Sequence, residues 1–259
     1  MTDTTLQVGA DTLWVEDSGG PGTPLVLLHP GITDSQVWGP VMPLLAQHRV
    51  IRFDRRGFGR SPIASEPFRS LDDLVAVLDH LGLDRVHLVG NSMGGEASLA
   101  LAVTHPERVA SMTLLCPGLG GYPWPEATPE EEALMERYRV LTEAKDLPGL
   151  AALGLEVWCR SGADDYLTEQ LEATTAADLA QGKLEQPNPD QWDLLPGLAV
   201  PATVIAGELD PSDSLQASLD LAVQIPDAAL VRLDTDHLPQ YRDPEAVAGA
   251  IEDTVARVG

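Results

Sequence analysis

Short apolar runs alternate with longer amphipathic segments along most of this 259-residue chain. Residues 4–8 and 12–16 alternate apolar and polar about Gly9-Ala10-Asp11, a pattern that predicts a hairpin. The runs Leu25–Leu28, Val50–Phe53, Val86–Val89 and Met112–Leu115 are apolar without interruption, as strands buried on both faces are. Helix-length segments lie between them at 35–46, 70–81 and 93–104. Within 70–81, Leu71, Leu74, Val75, Leu78 and Leu81 share one helical face. Ser70 and Asp73 have capping-box spacing there, with Asp in place of the usual Glu or Gln. Strand alternating with helix implies an α/β fold with a parallel sheet and right-handed crossovers. The rhythm stops at Pro117. Helices are expected near 129–145, 148–160 and 164–181, with no strand among them. It resumes with a strand at 202–206, a helix at 212–224, a strand at 229–233 and a helix at 243–257. The expected organisation is therefore a core of residues 1–116 and 196–259 carrying a helical cap at 117–195.

Composition narrows the classes. The formal net charge is −24, from 16 basic and 40 acidic residues, and only Lys145 and Lys183 are lysines. Such a surface repels phosphate backbones and anionic lipid, which argues against nucleic acid or a membrane as partner. Cys116 and Cys159 form no CxxC pair and read as buried free thiols. The first twenty residues show no basic, apolar leader, and no run of 18 apolar residues occurs. A soluble, cytoplasmic protein, monomeric or homodimeric and acting on a small molecule, is expected.

The candidate chemistry centres on Gly90-Asn91-Ser92-Met93-Gly94. This G-x-S-x-G pattern follows an expected strand and opens an expected helix, the context in which it presents a nucleophilic serine. A serine on so sharp a turn needs a strained backbone, and side chains two residues away would collide, so Gly90 and Gly94 leave room. The helix start supplies a positive dipole and a free N–H at Met93 for a developing oxyanion. The second donor belongs to the loop His29-Pro30-Gly31-Ile32-Thr33. Pro30 has no N–H, so Gly31 comes first and Ile32 second. The base must stand on a loop at the same sheet edge, where His237 follows the last strand. His48, His80, His87 and His105 fall at helix ends or strand starts, and His29 reads as a loop brace. Asp210, just past a strand, is the orienting carboxylate. Its rivals are Glu208, Asp213, Asp234 and Asp236.

The chain resembles the α/β-hydrolase superfamily over nearly its whole length. The matching pieces are Leu25-Val-Leu-Leu-His-Pro-Gly, Asp54-Arg-Arg-Gly-Phe-Gly-Arg-Ser, Gly90-Asn-Ser-Met-Gly-Gly, Gly207-Glu-Leu-Asp-Pro and Asp236-His-Leu-Pro. The resemblance implies an eight-stranded, mostly parallel sheet with the cap inserted after the sixth strand. It also implies the order Ser92, Asp210, His237 for the catalytic groups. The alternative acid position, after the strand that follows the nucleophile helix, reads Cys116-Pro117-Gly118 and holds no carboxylate. Two departures stand out. Pro30 replaces a Gly in the oxyanion loop. Asp236 replaces the Gly before the base, where it would raise the pKa of His237 if the two touched.

The expected activity is hydrolysis of a carboxylic ester or lactone with a small, apolar substrate, through an acyl-enzyme on Ser92 and without metal or cofactor. Gly90-Asn-Ser-Met-Gly-Gly with Cys116-Pro-Gly-Leu-Gly-Gly also resembles carbon–carbon hydrolases of aromatic ring cleavage. A ligand receptor with little turnover is the third reading. Activity is expected to fall on acidification through the ordinary imidazole range, near about 6.5. Candidate pocket residues are Ile32, Trp38, Trp124, Tyr138, Trp158 and Leu238, with Met135, Leu141 and Tyr166 beside them.

Overall fold

The computed structural model describes residues 2–258; Met1 and Gly259, the outermost residues of the expected core, lie outside the described residues. Eight strands form one sheet: β1 (Thr2–Val8), β2 (Asp11–Asp17), β3 (Leu25–Leu28), β4 (Val50–Phe53), β5 (Val86–Asn91), β6 (Val109–Leu115), β7 (Ala202–Gly207) and β8 (Ala228–Leu233). Their order across the sheet is β1-β2-β4-β3-β5-β6-β7-β8. β1, β2 and β4 pair antiparallel; every other pairing is parallel. The helices are α1 (Ser70–His80), α2 (Met93–Thr104), α3 (Pro129–Ala144), α4 (Leu147–Trp158), α5 (Asp165–Gln181), α6 (Ser212–Gln224), α7 (Pro239–Arg242) and α8 (Pro244–Ala256). Among the described residues no helix is long and apolar enough to cross a membrane.

The uninterrupted apolar strands have a simple cause: both faces of the sheet are covered. Val26, Leu28, Leu88, Met112, Leu114 and Val204 point to one face, where Leu74, Leu78, Leu99 and Leu221 of α1, α2 and α6 cover them. Leu25, Leu27, Val50, Val89, Leu115 and Ile205 point to the other, against Val247 and Ile251 of α8. Side chains alternate across a strand, so each run feeds two cores.

Two local expectations are corrected. The segment 35–46 is not one helix but two short 3₁₀ turns, Ser35–Trp38 and Met42–Leu45. Pro40 and Pro43 lack the N–H groups a continuous helix needs. The Ser70–Asp73 capping box does not form. Asp73 instead binds Arg56, and the start of α1 is capped from far away: the Leu71 N–H donates to Asn188 Oδ1 at 3.1 Å.

Arg56 is the buried electrostatic joint of this end of the sheet. It donates to Asp11 at 2.6 Å and to both Asp73 oxygens at 2.8 and 2.9 Å. All three side chains are nearly inaccessible. Arg56→Leu leaves two buried carboxylates without a counter-ion. The expected loss is about 3–5 kcal/mol, read from urea unfolding at pH 7; a loss below about 1 kcal/mol, the scale of an exposed pair, would contradict this role.

Candidate active site

β5 ends at Asn91 and α2 begins at Met93, so one residue makes the turn. Ser92 takes φ +53° and ψ −116°, a backbone state that L-residues rarely hold. Its surroundings fix it. The Ser92 N–H donates to Leu115 O at 3.0 Å, and its carbonyl accepts from the N–H groups of Glu96 and Gly118 at 3.0 and 2.9 Å. The flanking glycines are close-approach positions. A Cβ on Gly90 would fall 2.3 Å from Gly94 O, and one on Gly94 would fall 2.3 Å from Leu28 O.

The parallel strands β3 to β8 end at the same edge of the sheet, the edge at which such sheets bind ligands. His237 arrives there after β8, and its Nδ1 lies 2.9 and 3.1 Å from the two oxygens of Asp210. Nδ1 therefore donates, which leaves Nε2 as the basic nitrogen. The loops carrying the pair are stitched together, with Glu208 N–H on Leu233 O at 2.8 Å and Leu209 N–H on Thr235 O at 3.0 Å. Asn91 ties them to the serine turn, donating to His237 O at 3.0 Å and accepting from Gln240 at 2.9 Å. Sequence reasoning missed Asn91 and Gln240. Asn91 fills a variable position of the serine pattern, and nothing in its residue type marks the contact. The Trp158 ring packs on the imidazole, with centroids 4.4 Å apart.

The rival carboxylates are engaged elsewhere or open to solvent. Glu208 pairs with Arg232, Asp213 bonds the Ser214 N–H at the start of α6, and Asp234 is exposed. Asp236 accepts from Arg242 at 2.7 Å and from the Ser161 N–H at 2.9 Å. Its charge thus serves the loop between α4 and α5 rather than the imidazole. His29 is a brace: Nε2 accepts from the Arg55 N–H at 3.0 Å and Nδ1 donates to Pro30 O at 2.8 Å. Burial, then the Arg55 charge, pushes its pKa down and keeps it neutral.

Cys116 Sγ, Asp210 and His237 offer ligand atoms within 4.8 Å of one another, the count of a small metal site. The donor set suits one poorly. Burial, reinforced by the Asp210 charge, pushes the Cys116 thiol well above its usual range, away from the thiolate a metal needs. His237 and Asp210 already bind each other.

Ser92 and His237 face one cavity of about 510 Å³, together with Met93, Gly31 and Ile32. Neither the Met93 nor the Gly31 N–H finds a protein acceptor among the described residues. The two residues touch: a Cβ on Gly31 would fall 2.4 Å from Met93 Sδ. The far walls come from α3, α4 and α5. Tyr138, Met135 and Trp158 belong to them. Trp38 and Leu238 do not. Both are fully buried in the core that α8 covers. Trp124 is half-exposed and packs edge-on against Tyr122, which is anchored to Asp220 of α6. Leu141 packs where α3 meets α4, and Tyr166 stacks on Tyr241. The residues missed are helical faces: Leu150, Leu153, Gly154 and Val157 of α4, and Leu171, Thr174, Thr175 and Asp178 of α5. Their i, i+3, i+4, i+7 spacing was the available signal.

Asp178 is the anomaly in these apolar walls. The residue is exposed to solvent where it joins the cavity wall. Partial desolvation by that wall pushes its pKa up to about 6, against the pull of Arg55 and with a push from Glu185. The penalty falls on the charged form. It is absent below the ordinary carboxyl range and complete above about 6. Asp178→Asn is therefore expected to raise the melting temperature at pH 8 and to leave it unchanged at pH 3.5. An equal shift at both values, read by thermal unfolding, would contradict the strain.

Comparisons with known proteins bear on the family and the fold. A family model described as alpha/beta hydrolase fold matches residues 23–169. The 3-oxoadipate enol-lactonase 1 of Acinetobacter baylyi is 27% identical over 248 residues, covering 90% of this chain and 89% of that protein. A 2-hydroxymuconate semialdehyde hydrolase of Pseudomonas sp. strain CF600 is 44% identical over 119 residues, 43% of this chain and 41% of the relative. The chain spans about two fifths of the length of several curated relatives that it matches. Among solved structures, an esterase of Thermogutta terrifontis superposes with a TM-score of 0.76 at 27% identity, covering 100% of this chain and 99% of the other. Est816, described as an N-acyl homoserine lactone degrading enzyme, does so with a TM-score of 0.77 at 27% identity, covering 96% and 99%. The one-residue serine turn, the mostly parallel sheet and the family match over more than half its length agree: this chain belongs to the alpha/beta hydrolase fold family.

Proposed function

We propose that the protein is a serine hydrolase that cleaves a carboxylic ester or lactone of a small, largely apolar substrate through an acyl-enzyme on Ser92. The observation that carries this reading is the 2.9 Å bond from His237 Nδ1 to Asp210, made beside a serine held on a strained turn at the floor of an apolar cavity. His237 Nε2 takes the Ser92 proton as Oγ attacks the carbonyl carbon. The Met93 and Gly31 N–H groups stabilise the oxyanion. The imidazolium then returns its proton to the leaving oxygen, and the acyl-enzyme forms. Water, deprotonated by His237, attacks that ester, and Ser92 Oγ leaves with the proton. Relatives described as an enol-lactonase, an esterase and a lactone-degrading enzyme support the substrate class.

The match to a 2-hydroxymuconate semialdehyde hydrolase favours a second reading, carbon–carbon cleavage assisted by the same groups. It covers less than half of either chain, so the ester reading is preferred. The test is a panel of p-nitrophenyl esters, lactones and a dienone ring-cleavage product, run on the wild type and Ser92→Ala. Ester or lactone turnover that Ser92→Ala loses supports the proposal. Turnover of the dienone alone favours the second reading. Tight binding without turnover of any of them points to a receptor.

A further inference from the structure

We infer that Asp178 sets the charge class of the substrate, so that the cavity accepts neutral or cationic groups and turns away carboxylates. This rests on the reading of the cavity as the substrate site of Ser92. Among the described lining residues Asp178 is the one carboxylate, and none is Lys or Arg. The only basic side chain in the lining is His237, and its Nδ1 is bound to Asp210.

Asp178 is also placed for the role. It lies on the face of α5 that gives the cavity Leu171, Thr174 and Thr175, at i+7, i+4 and i+3 from them. Its carboxylate accepts no hydrogen bond from the protein among the described residues, whereas the Thr174 hydroxyl already donates to Leu171 O. An exposed carboxylate with no protein donor, beside a wall of Leu, Met and Val, is a partner for an ammonium or hydroxyl group on a ligand. The raised pKa of Asp178 comes from desolvation, which the Arg55 charge offsets only in part.

The nearest cation does not rescue an anionic ligand. Arg55 is buried, pairs with Glu185, and meets the cavity only through the Met93 sulfur, on which its Nη1 lies at 3.3 Å. Glu185 adds negative charge behind the same wall. A carboxylate entering the cavity would meet Asp178 with no counter-ion, and like charges placed together are how sites reject the wrong ligand. This goes beyond an apolar esterase: it separates this site from any that holds an acidic substrate.

Two measurements at pH 8 test it. Calorimetry on the Ser92→Ala protein compares hexylammonium with hexanoate. Kinetics on the wild type compare the p-nitrophenyl ester of 6-aminohexanoate with the mono-p-nitrophenyl ester of adipate. In each, the cationic member is expected to be favoured at least about 10-fold, the scale of one modest charge contact. In kinetics the preference is expected mainly in KM. Asp178→Asn is expected to bring both ratios to within about threefold of unity, and Asp178→Lys to invert them. Equal binding of the two ions, or a ratio unchanged in Asp178→Asn, overturns the inference. Charge-selective binding without hydrolysis of either ester supports the inference and sinks the serine-hydrolase reading alone. Hydrolysis without charge preference does the reverse.

Discussion

Ser92→Ala is expected to lower kcat for a short p-nitrophenyl ester by about 10⁶-fold, down to the residue left by binding and the oxyanion donors. The size follows from the way the groups act as a unit. His237 has no proton to take once Oγ is gone, and no acyl-enzyme can form. The substitution should leave the fold intact. Ala keeps the β-carbon, and every hydrogen bond that fixes residue 92 is made by its backbone, to Leu115, Glu96 and Gly118. A measured loss below about 10²-fold would mean that another group attacks, since a lone general-base effect is worth no more than about 10²–10⁴.

Asp210→Asn is expected to lower kcat/KM by about 10⁴-fold with little change in the overall structure. Asp210 accepts from Nδ1 and so holds the proton on that nitrogen, leaving Nε2 as the basic nitrogen. An amide in the same place can offer its own N–H₂ to Nδ1, which moves the imidazole proton to Nε2 and removes the base. It also removes the negative charge that stabilises the imidazolium. The buried Cys116 thiol beside Asp210 offers no substitute, because its pKa lies well above the usual thiol range. Glu208→Gln and Asp213→Asn are the matched controls, and each is expected to change kcat/KM by less than about threefold, since neither carboxylate touches His237. A large loss in a control with near-wild-type Asp210→Asn would reassign the acid.

The legibility of this chain divides by physical cause. The central strands β3 to β7 read clearly because each lies between two helical layers, so their apolar runs carry no competing periodicity. Ser92, Asp210 and His237 read clearly because strand ends position them, and strand ends are visible in the pattern. The capping of α1 was not readable. Its partner, Asn188, comes from 117 residues away, and the local candidate Asp73 is drawn off by Arg56. The single helix expected at 35–46 failed at two prolines that the apolar spacing obscured. The pocket was the weakest reading, for a definite reason. Large aromatic side chains were favoured by type, whereas the walls are the inward faces of α3, α4 and α5. Trp38 satisfies the type and lies in the core; Leu153 and Val157 satisfy the face and line the cavity. Asp178, a charged residue on such a face, belongs to the same lesson.

The central claim is that Ser92 is a nucleophile activated in place. Labelling with a fluorophosphonate probe, followed by peptide mass spectrometry, tests it most directly, because it needs no knowledge of the substrate. One stoichiometric adduct is expected, on Ser92, lost in Ser92→Ala and formed much more slowly in His237→Ala. A folded protein that takes up no probe, or takes it up on a residue other than Ser92, would contradict it.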